Sequence, residues 1–312
     1  VGVVGPLNSN VCQAEAPFAN NADLVQISPS CAASGLTQPG SDPATDTLAL
    51  RPTGKVTFFR VCTTDVNQSA ALAMEAVSLG AKKAFVFDDQ EADGQGLAEH
   101  FSKDFASDGG SVVGSASMAG TTTDFTTPLQ QAASKGADIV FFGGTSSDGG
   151  GKLRAQMSPA GLSSDVHFMG GGGIVDSTFT GDAGAAANDA YAVVAAPDVT
   201  KVPAAASFIS SYTSAYNSAP GVYSASAYDA MNIILTAAAE AIMANGGALP
   251  QNAEAFRESI HANVAAISYP GVIGTTTFDA DGDTNNKVLT LFQVRGGSWA
   301  SIASLHLVAQ AG

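Results

Sequence analysis

The sequence predicts an α/β protein built as two doubly wound parallel-sheet lobes joined by a hinge. Three observations lead there. Short apolar, β-branched runs alternate with helical patterns over most of the 312 residues, the signature of βαβ units and a parallel sheet. The middle of the chain is rich in strands, while the segments on either side each lack enough strands for a sheet of their own. The chain is also longer than a usual single domain, and lobes of ~100–200 residues each suit it. The two ends are therefore expected to share one lobe: residues 1–65 with 198–284 form lobe 1, and 66–197 with 285–312 form lobe 2. Several chain crossings between lobes make a hinge.

In order along the chain, strands are expected at residues 1–5, 24–28 and 57–61. A Pro/Gly/Asp-rich loop at 38–55 separates the last two and is too polar to be core. A helix follows at 65–79, with Thr64 or Asp65 as N-cap and Gly80 as its stop. A second series then repeats at a steady period, with strands at 84–87, 111–115, 139–142, 166–169 and 190–195. Helices are expected between them at 96–107, 125–134 and 150–157. After Pro197 come helices at 204–216, 224–244 and 253–263. The chain finishes with residues 274–278, a polar turn at 279–286, and a strand at 288–294.

Composition excludes several functions. Hydrophobic residues make up 45% and charged residues 13%, with a net charge of −15. No apolar run approaches the ~20 residues of a membrane span. No basic stretch tracks a phosphate backbone, so nucleic acid is not an expected partner. His100, His167, His261 and His306 lie far apart and no C-x-x-C pair exists, so spacing gives no zinc motif. No metal or other cofactor is expected.

Three motifs have plainer readings. Gly94-Gln95-Gly96-Leu97-Ala98-Glu99 approaches the dinucleotide fingerprint, but Glu99 stands where the third glycine belongs, and a tight strand-to-helix turn is the better reading. The Gly-rich run from Gly144 to Leu153 has Ser146 and Leu153 at positions a phosphate loop reserves for Gly and Ser/Thr, and reads as a ligand-facing loop. The acidic run from Asp279 to Asn285 has Thr284 and Thr290 where a calcium loop needs Gly and Glu, and reads as a turn. No set of nucleophile, base and metal assembles from spacing, so no enzyme activity is expected.

Several segments, in order, resemble the branched-chain amino acid-binding proteins of ABC transporters, on the type I periplasmic binding protein fold. They are Gly5-Pro6-Leu7-Asn8-Ser9, Gln26-Ile27-Ser28-Pro29-Ser30 with Gly35-Leu36-Thr37, and Phe59-Arg60-Val61-Cys62-Thr63-Thr64-Asp65. Gly94-Gln95-Gly96-Leu97-Ala98, Asp124-Phe125, Phe141-Phe142-Gly143-Gly144, Ala227-Tyr228-Asp229-Ala230 and Phe278-Asp279 with Gly282-Asp283 continue the series. Each is weak alone, and their order and spacing carry the resemblance over nearly the whole chain. It implies a monomeric clamp that closes on a small molecule, amino acid or amide-like, and is read by a membrane ABC permease. It also implies a periplasmic or extracellular location behind a signal peptide or as an anchored lipoprotein, and a strand-helix-strand segment preceding residue 1. A ligand-sensing regulator on the same fold is the alternative.

By resemblance, the ligand carboxylate meets backbone N–H groups and hydroxyls at Ser9, Ser30 and Ala32, the last standing where the family has Thr. Gly172 stands where amino acid binders place an acid facing the ammonium. Asp93 replaces a Tyr, Thr145 an aromatic residue, and Ala225 a pocket aromatic two residues after Tyr223. The site is thus expected to be roomy and lined by Ser9, Ser30, Ala32, Asp93, Thr145, Gly172 and Tyr223. Asp93 either supplies the missing carboxylate or is a solvated loop acid.

The cysteines are Cys12, Cys31 and Cys62, so one thiol is left over from any internal disulfide. Cys12 falls in the first turn after one strand and Cys31 just past the end of a neighbouring one, which favours a Cys12–Cys31 disulfide. Cys31–Cys62 is the runner-up, and Cys12 could instead pair with a cysteine in the preceding segment.

Overall fold

In the computed structural model, which describes residues 1–42 and 45–306, the chain divides into two compact units, and neither is contiguous in sequence. One contains Val1–Thr64 and Ala196–Val288, the other Asp65–Ala195 and Leu289–Leu305. Positions 43 and 44 of the polar loop, and 307–312, lie outside the described residues.

In the first unit, β1 (Gly2–Val4), β2 (Val25–Ser28) and β3 (Phe58–Arg60) pair parallel in that order. Side chains alternate across a strand, so each face of this sheet needs its own cover. On one face Val25, Ile27, Phe59 and Val61 pack with Ile233, Ile234 and Ala237 of α9 (Ser224–Ala244) and with Ile260 and Val264 of α10 (Ala253–Ala265). On the other, Phe58 packs with Cys12 and Ala16 of α1 (Ser9–Asn21) and Leu50 of the short α2 (Thr47–Leu50). The solvated helix α8 (Ala206–Tyr216) and a two-stranded antiparallel pair, β9 (Tyr269–Gly271) and β10 (Gly274–Thr276), complete the unit.

Helix α1 occupies a stretch to which the sequence reading assigns no element. It carries Pro17 inside, and its buried positions are Ser9, Cys12, Ala16 and Asn20. They have helical spacing, but they are small or polar, so no hydrophobic stripe announces them.

The second unit follows α3 (Asp65–Ser78). Strands β4 (Lys83–Asp88), β5 (Ser111–Ser117), β6 (Ile139–Gly143), β7 (His167–Gly171) and β8 (Ala190–Val194) are all parallel, in spatial order β8-β7-β6-β4-β5. β11 (Val288–Arg295) joins β8 antiparallel, and β12 (Ser298–His306) lies beside β11. The helices are α4 (Ala92–Ser107), α5 (Thr126–Ser134), α6 (Gly150–Gln156) and α7 (Ser177–Ala183). β6 is buried throughout, as a strand covered on both faces should be. Phe141 stacks on Phe101 of α4 with ring centroids 3.9 Å apart.

Two expectations change here. The chain does not finish at the strand over 288–294, because β12 adds a nine-residue edge strand after Gly296-Gly297. Its mixed sequence buries no residue fully, so its apolar signal is weak. Helix α4 starts at Ala92 rather than 96, and the G-x-G pair lies inside its first turns. Gly94 is there because a Cβ would collide with the Asp89 carboxylate and the Gly143 carbonyl oxygen.

Candidate functional site: two sets of turns after parallel strands

Ligands of open parallel sheets sit beyond the carboxyl ends of the strands, at the point where strand order reverses. In the second unit that point lies between β4 and β6, because the chain builds β5 on one side of β4 and β6 on the other. In the first unit the order β1-β2-β3 does not reverse among the described strands, and the carboxyl ends that carry the expected residues are those of β1 and β2.

The turns after β1 and β2 are sewn together by side chains. Ser28 Oγ donates to the Pro6 carbonyl at 2.8 Å, and Ser30 Oγ donates to the Leu7 carbonyl at 2.7 Å. The Cys31 N–H donates to Ser28 Oγ at 2.9 Å, and the Ala33 N–H donates to Ser9 Oγ at 3.2 Å. Cys12 and Cys31 form the disulfide, with Cα atoms 6.6 Å apart, and Cys62 is a buried thiol. Ser9, Ser30 and Ala32 are thus brought into one knot, with Ser9 at the start of α1.

Beneath this knot lies a buried guanidinium. Arg60 has no exposed surface. Its Nε donates to Asp283 Oδ1 at 2.6 Å, its Nη1 donates to the carbonyls of Cys31 at 3.0 Å and Ala33 at 2.7 Å, and its Nη2 donates to Thr37 Oγ1. Gln38 Nε2 donates to the other Asp283 oxygen at 2.7 Å. Burial alone would raise the Asp283 carboxyl, but the Arg60 charge and these hydrogen bonds hold it below its ordinary value. The acidic run from Asp279 is committed to the same structure: Asp279 Oδ1 accepts from the Asp281 and Asp283 N–H groups. Sequence reasoning quoted Arg60 and Asp283 without giving either a role, since 223 residues separate them.

The Ala32 N–H is different. Ala32 is only 3% exposed, yet its N–H donates no hydrogen bond among the described residues. Buried backbone donors without a partner are rare, and each costs about 1–3 kcal/mol.

In the second unit, Asp93 is half-buried in the first turn of α4. Thr145 follows β6 and donates to Asp148, with Ser147 Oγ 2.6 Å away. Gly172 opens a 3₁₀ turn after β7, and the Ser146 N–H donates to the Gly173 carbonyl at 3.0 Å. This turn is less open than its four glycines suggest. A Cβ on Gly173 would stand 3.0 Å from the Gly144 carbonyl oxygen, and one on Gly171 would meet Leu97 at 2.6 Å. Some of these glycines serve close packing between neighbouring turns.

A residue without an assigned role stands at the switch point. Asp89 is 3% exposed, its N–H donates to the Gly143 carbonyl at 3.0 Å, and its Oδ1 accepts from the Glu91 N–H at 2.9 Å. Burial, with Asp148, Asp93 and Glu91 nearby, pushes its carboxyl up to about 8. These neighbours are all acidic, so negative charge gathers at the ends of β4 and β6. The Asp88-Asp89 pair before the glycines was the visible signal. Tyr223, half-buried, directly precedes α9 in the first unit. Ala225, in the first turn of α9, is buried in the core of the first unit.

Comparison with known proteins places these features in a family. The sequence profile described as "Periplasmic binding protein" matches residues 1–298. The Leu/Ile/Val-binding protein homolog 3 of Brucella melitensis biotype 1 is 28% identical over 241 residues, which cover 77% of this chain and 62% of that protein. This chain therefore spans less than two thirds of that relative. Among solved structures, the leucine binding protein LivK of Thermotoga maritima superposes with a TM-score of 0.81 at 24% identity, covering 98% of this chain and 79% of that one. A solute binding protein of an ABC transporter from R. palustris, in complex with benzoate, superposes with a TM-score of 0.79 at 21% identity, covering 100% and 80%.

Proposed function

Because the chain belongs to the periplasmic binding protein family, a type of solute-binding protein and not an enzyme family, we propose that it carries a small zwitterion, an amino acid or amide-like solute, outside the cytoplasm. It would deliver that solute to a membrane ABC permease by closing on it. The observation that supports this reading is the opposite polarity of the two sets of turns. The turns of Ser9, Ser30 and Ala32 leave the Ala32 N–H without a partner among the described residues, which suits a carboxylate. Those of Asp93, Thr145 and Gly172 gather acidic groups, which suit an ammonium. Tyr223, just before α9, belongs in this reading with the first set.

In this reading Asp93 replaces the carboxylate that Gly172 lacks. A charge-assisted hydrogen bond to the ammonium is worth ~1.5–3 kcal/mol, about ten- to a hundredfold in affinity. Calorimetry with leucine, isoleucine and valine should show weak discrimination among them, and Asp93→Asn should weaken each by that factor. Submicromolar leucine binding that survives the substitution defeats the reading. A second reading, a carboxylate without an ammonium, draws on the absence of an acid from Gly170 to Gly173 and on the likeness to the benzoate-binding protein. Mass spectrometry of ligand released from natively purified protein separates the two: an aliphatic amino acid supports the first, an aromatic acid the second.

A further inference from the structure

We propose that Arg60 is a positioning residue that fixes the Ala32 peptide plane, so that the Ala32 N–H is held ready to receive a ligand carboxylate oxygen. The proposal rests on the reading of the first unit's turns as carboxylate-receiving. In a trans peptide the carbonyl and the following N–H point in opposite directions. The Cys31 carbonyl is drawn to Arg60 Nη1 at 3.0 Å, so the Ala32 N–H in the same peptide points away from the guanidinium. The Ala33 carbonyl is held by the same nitrogen at 2.7 Å, which pins the loop on the other side of Ala32. The intervening Ala33 N–H is already taken by Ser9 Oγ, and the preceding Cys31 N–H by Ser28 Oγ. Ala32 is left as the residue in this run whose donor is oriented but unspent.

The choice of side chain follows from that task. One nitrogen reaching two carbonyls, with Nε on Asp283 and Nη2 on Thr37, needs a planar, multidentate donor. A lysine ammonium is a single point charge, able to satisfy Asp283 but not to span all of these acceptors. Asp283 has a separable role: it neutralises the buried charge and ties Arg60 to the turn after Phe278. Arg60 touches no ligand in this scheme and acts through Ala32.

The test uses the whole chain with ¹⁵N-alanine labelling. In ligand-free wild type, the Ala32 amide should have an ordered backbone but exchange with solvent faster than the bonded Ala33 amide. Protection of Ala32 equal to Ala33 overturns the proposal without any variant. Arg60→Lys should lower the Ala32 order parameter and shift its resonance, while amides of α9 and α10 stay in place. Asp283→Asn, and the milder Thr37→Val, should lower thermal stability but leave the Ala32 signal near its wild-type position. Leucine and benzoate are the binding probes, each beside its carboxamide. For whichever carboxylate binds wild type, Arg60→Lys should weaken it at least tenfold and spare the carboxamide, and Thr37→Val should change it less than threefold. Equal losses for acid and amide, or an unmoved Ala32 amide in Arg60→Lys, overturn the positioning role. If neither carboxylate binds wild type, the carboxylate reading of the turns fails, and the ligand-free amide measurements still decide the role of Arg60.

Discussion

Asn20 shows how much one polar residue can hold when every bond is made. It lies at the end of α1 with almost no exposed surface. Its Nδ2 donates to the Lys55 carbonyl and to Thr57 Oγ1, both at 2.9 Å, and its Oδ1 accepts from the N–H and hydroxyl of Thr53. Truncation to Ala strands partners from the loop leading into β3, at about 1–3 kcal/mol for each one left buried. Asn20→Ala should therefore lower the urea unfolding free energy by ~2–4 kcal/mol. Asp89 makes the opposite case, since its burial works against its charge. Its folded carboxyl titrates at about 8, far above its ordinary 3.8, so the folded state keeps a proton that the unfolded state has lost. Its contribution is fully present below pH ~4 and is lost as pH rises through about 8, by about 1.4 kcal/mol per unit in that window. Asp89→Asn, which stays neutral, should flatten this part of the stability profile and raise the midpoint at pH 7.5. An unchanged slope between pH 5 and 8 in calorimetric scans counts against the assignment.

At the scale of elements, contacts far apart in sequence govern the knot at the ends of β1 and β2. The Cys12–Cys31 disulfide closes a loop of 19 residues that contains most of α1 and all of β2. In the chain-entropy account a loop of that size contributes about 3 kcal/mol by restricting the unfolded chain. Replacing both cysteines with Ala should lower the thermal midpoint, and reducing agent should lower the wild-type midpoint but not that of the double variant. Helix α4 offers a sharper probe. Gly94 and Gly143 meet backbone to side chain and backbone at the switch point. Gly94→Val must push α4 off β6 or displace Asp89. It should lower stability by several kcal/mol, against well under 1 kcal/mol for an exposed site such as Gly181.

For the whole molecule, the proposed function makes a thermodynamic claim. A ligand that binds only the folded chain stabilises it by about 2.7 kcal/mol at a hundred times its Kd. Thermal scans with leucine should then show a midpoint rising with the logarithm of concentration, and Asp93→Asn should shift that line to higher concentration. No described helix is long and apolar enough to cross a membrane.

The sequence by itself determined the alternation of strand and helix, the parallel sheets and the family. Those signals are local: apolar runs such as residues 139–142, capping residues, and glycine stops read within a dozen residues. It also located the cysteine pair, because strand ends in neighbouring units of a sheet lie side by side. It missed α1 and β12, whose buried faces are small or mixed and so lack a periodic apolar signal. It singled out Ser9, Ser30, Ala32, Asp93, Thr145 and Gly172, of which Ser9 opens α1 and Asp93 lies in the first turn of α4, but not the groups behind them. Only the tertiary structure paired Arg60 with Asp283, put two carbonyls on one guanidinium, and enclosed Asp89 among other acids. The reason is physical. A turn is written in its own residues, whereas a buried charge is set by whatever the fold brings beside it, here from 223 residues away.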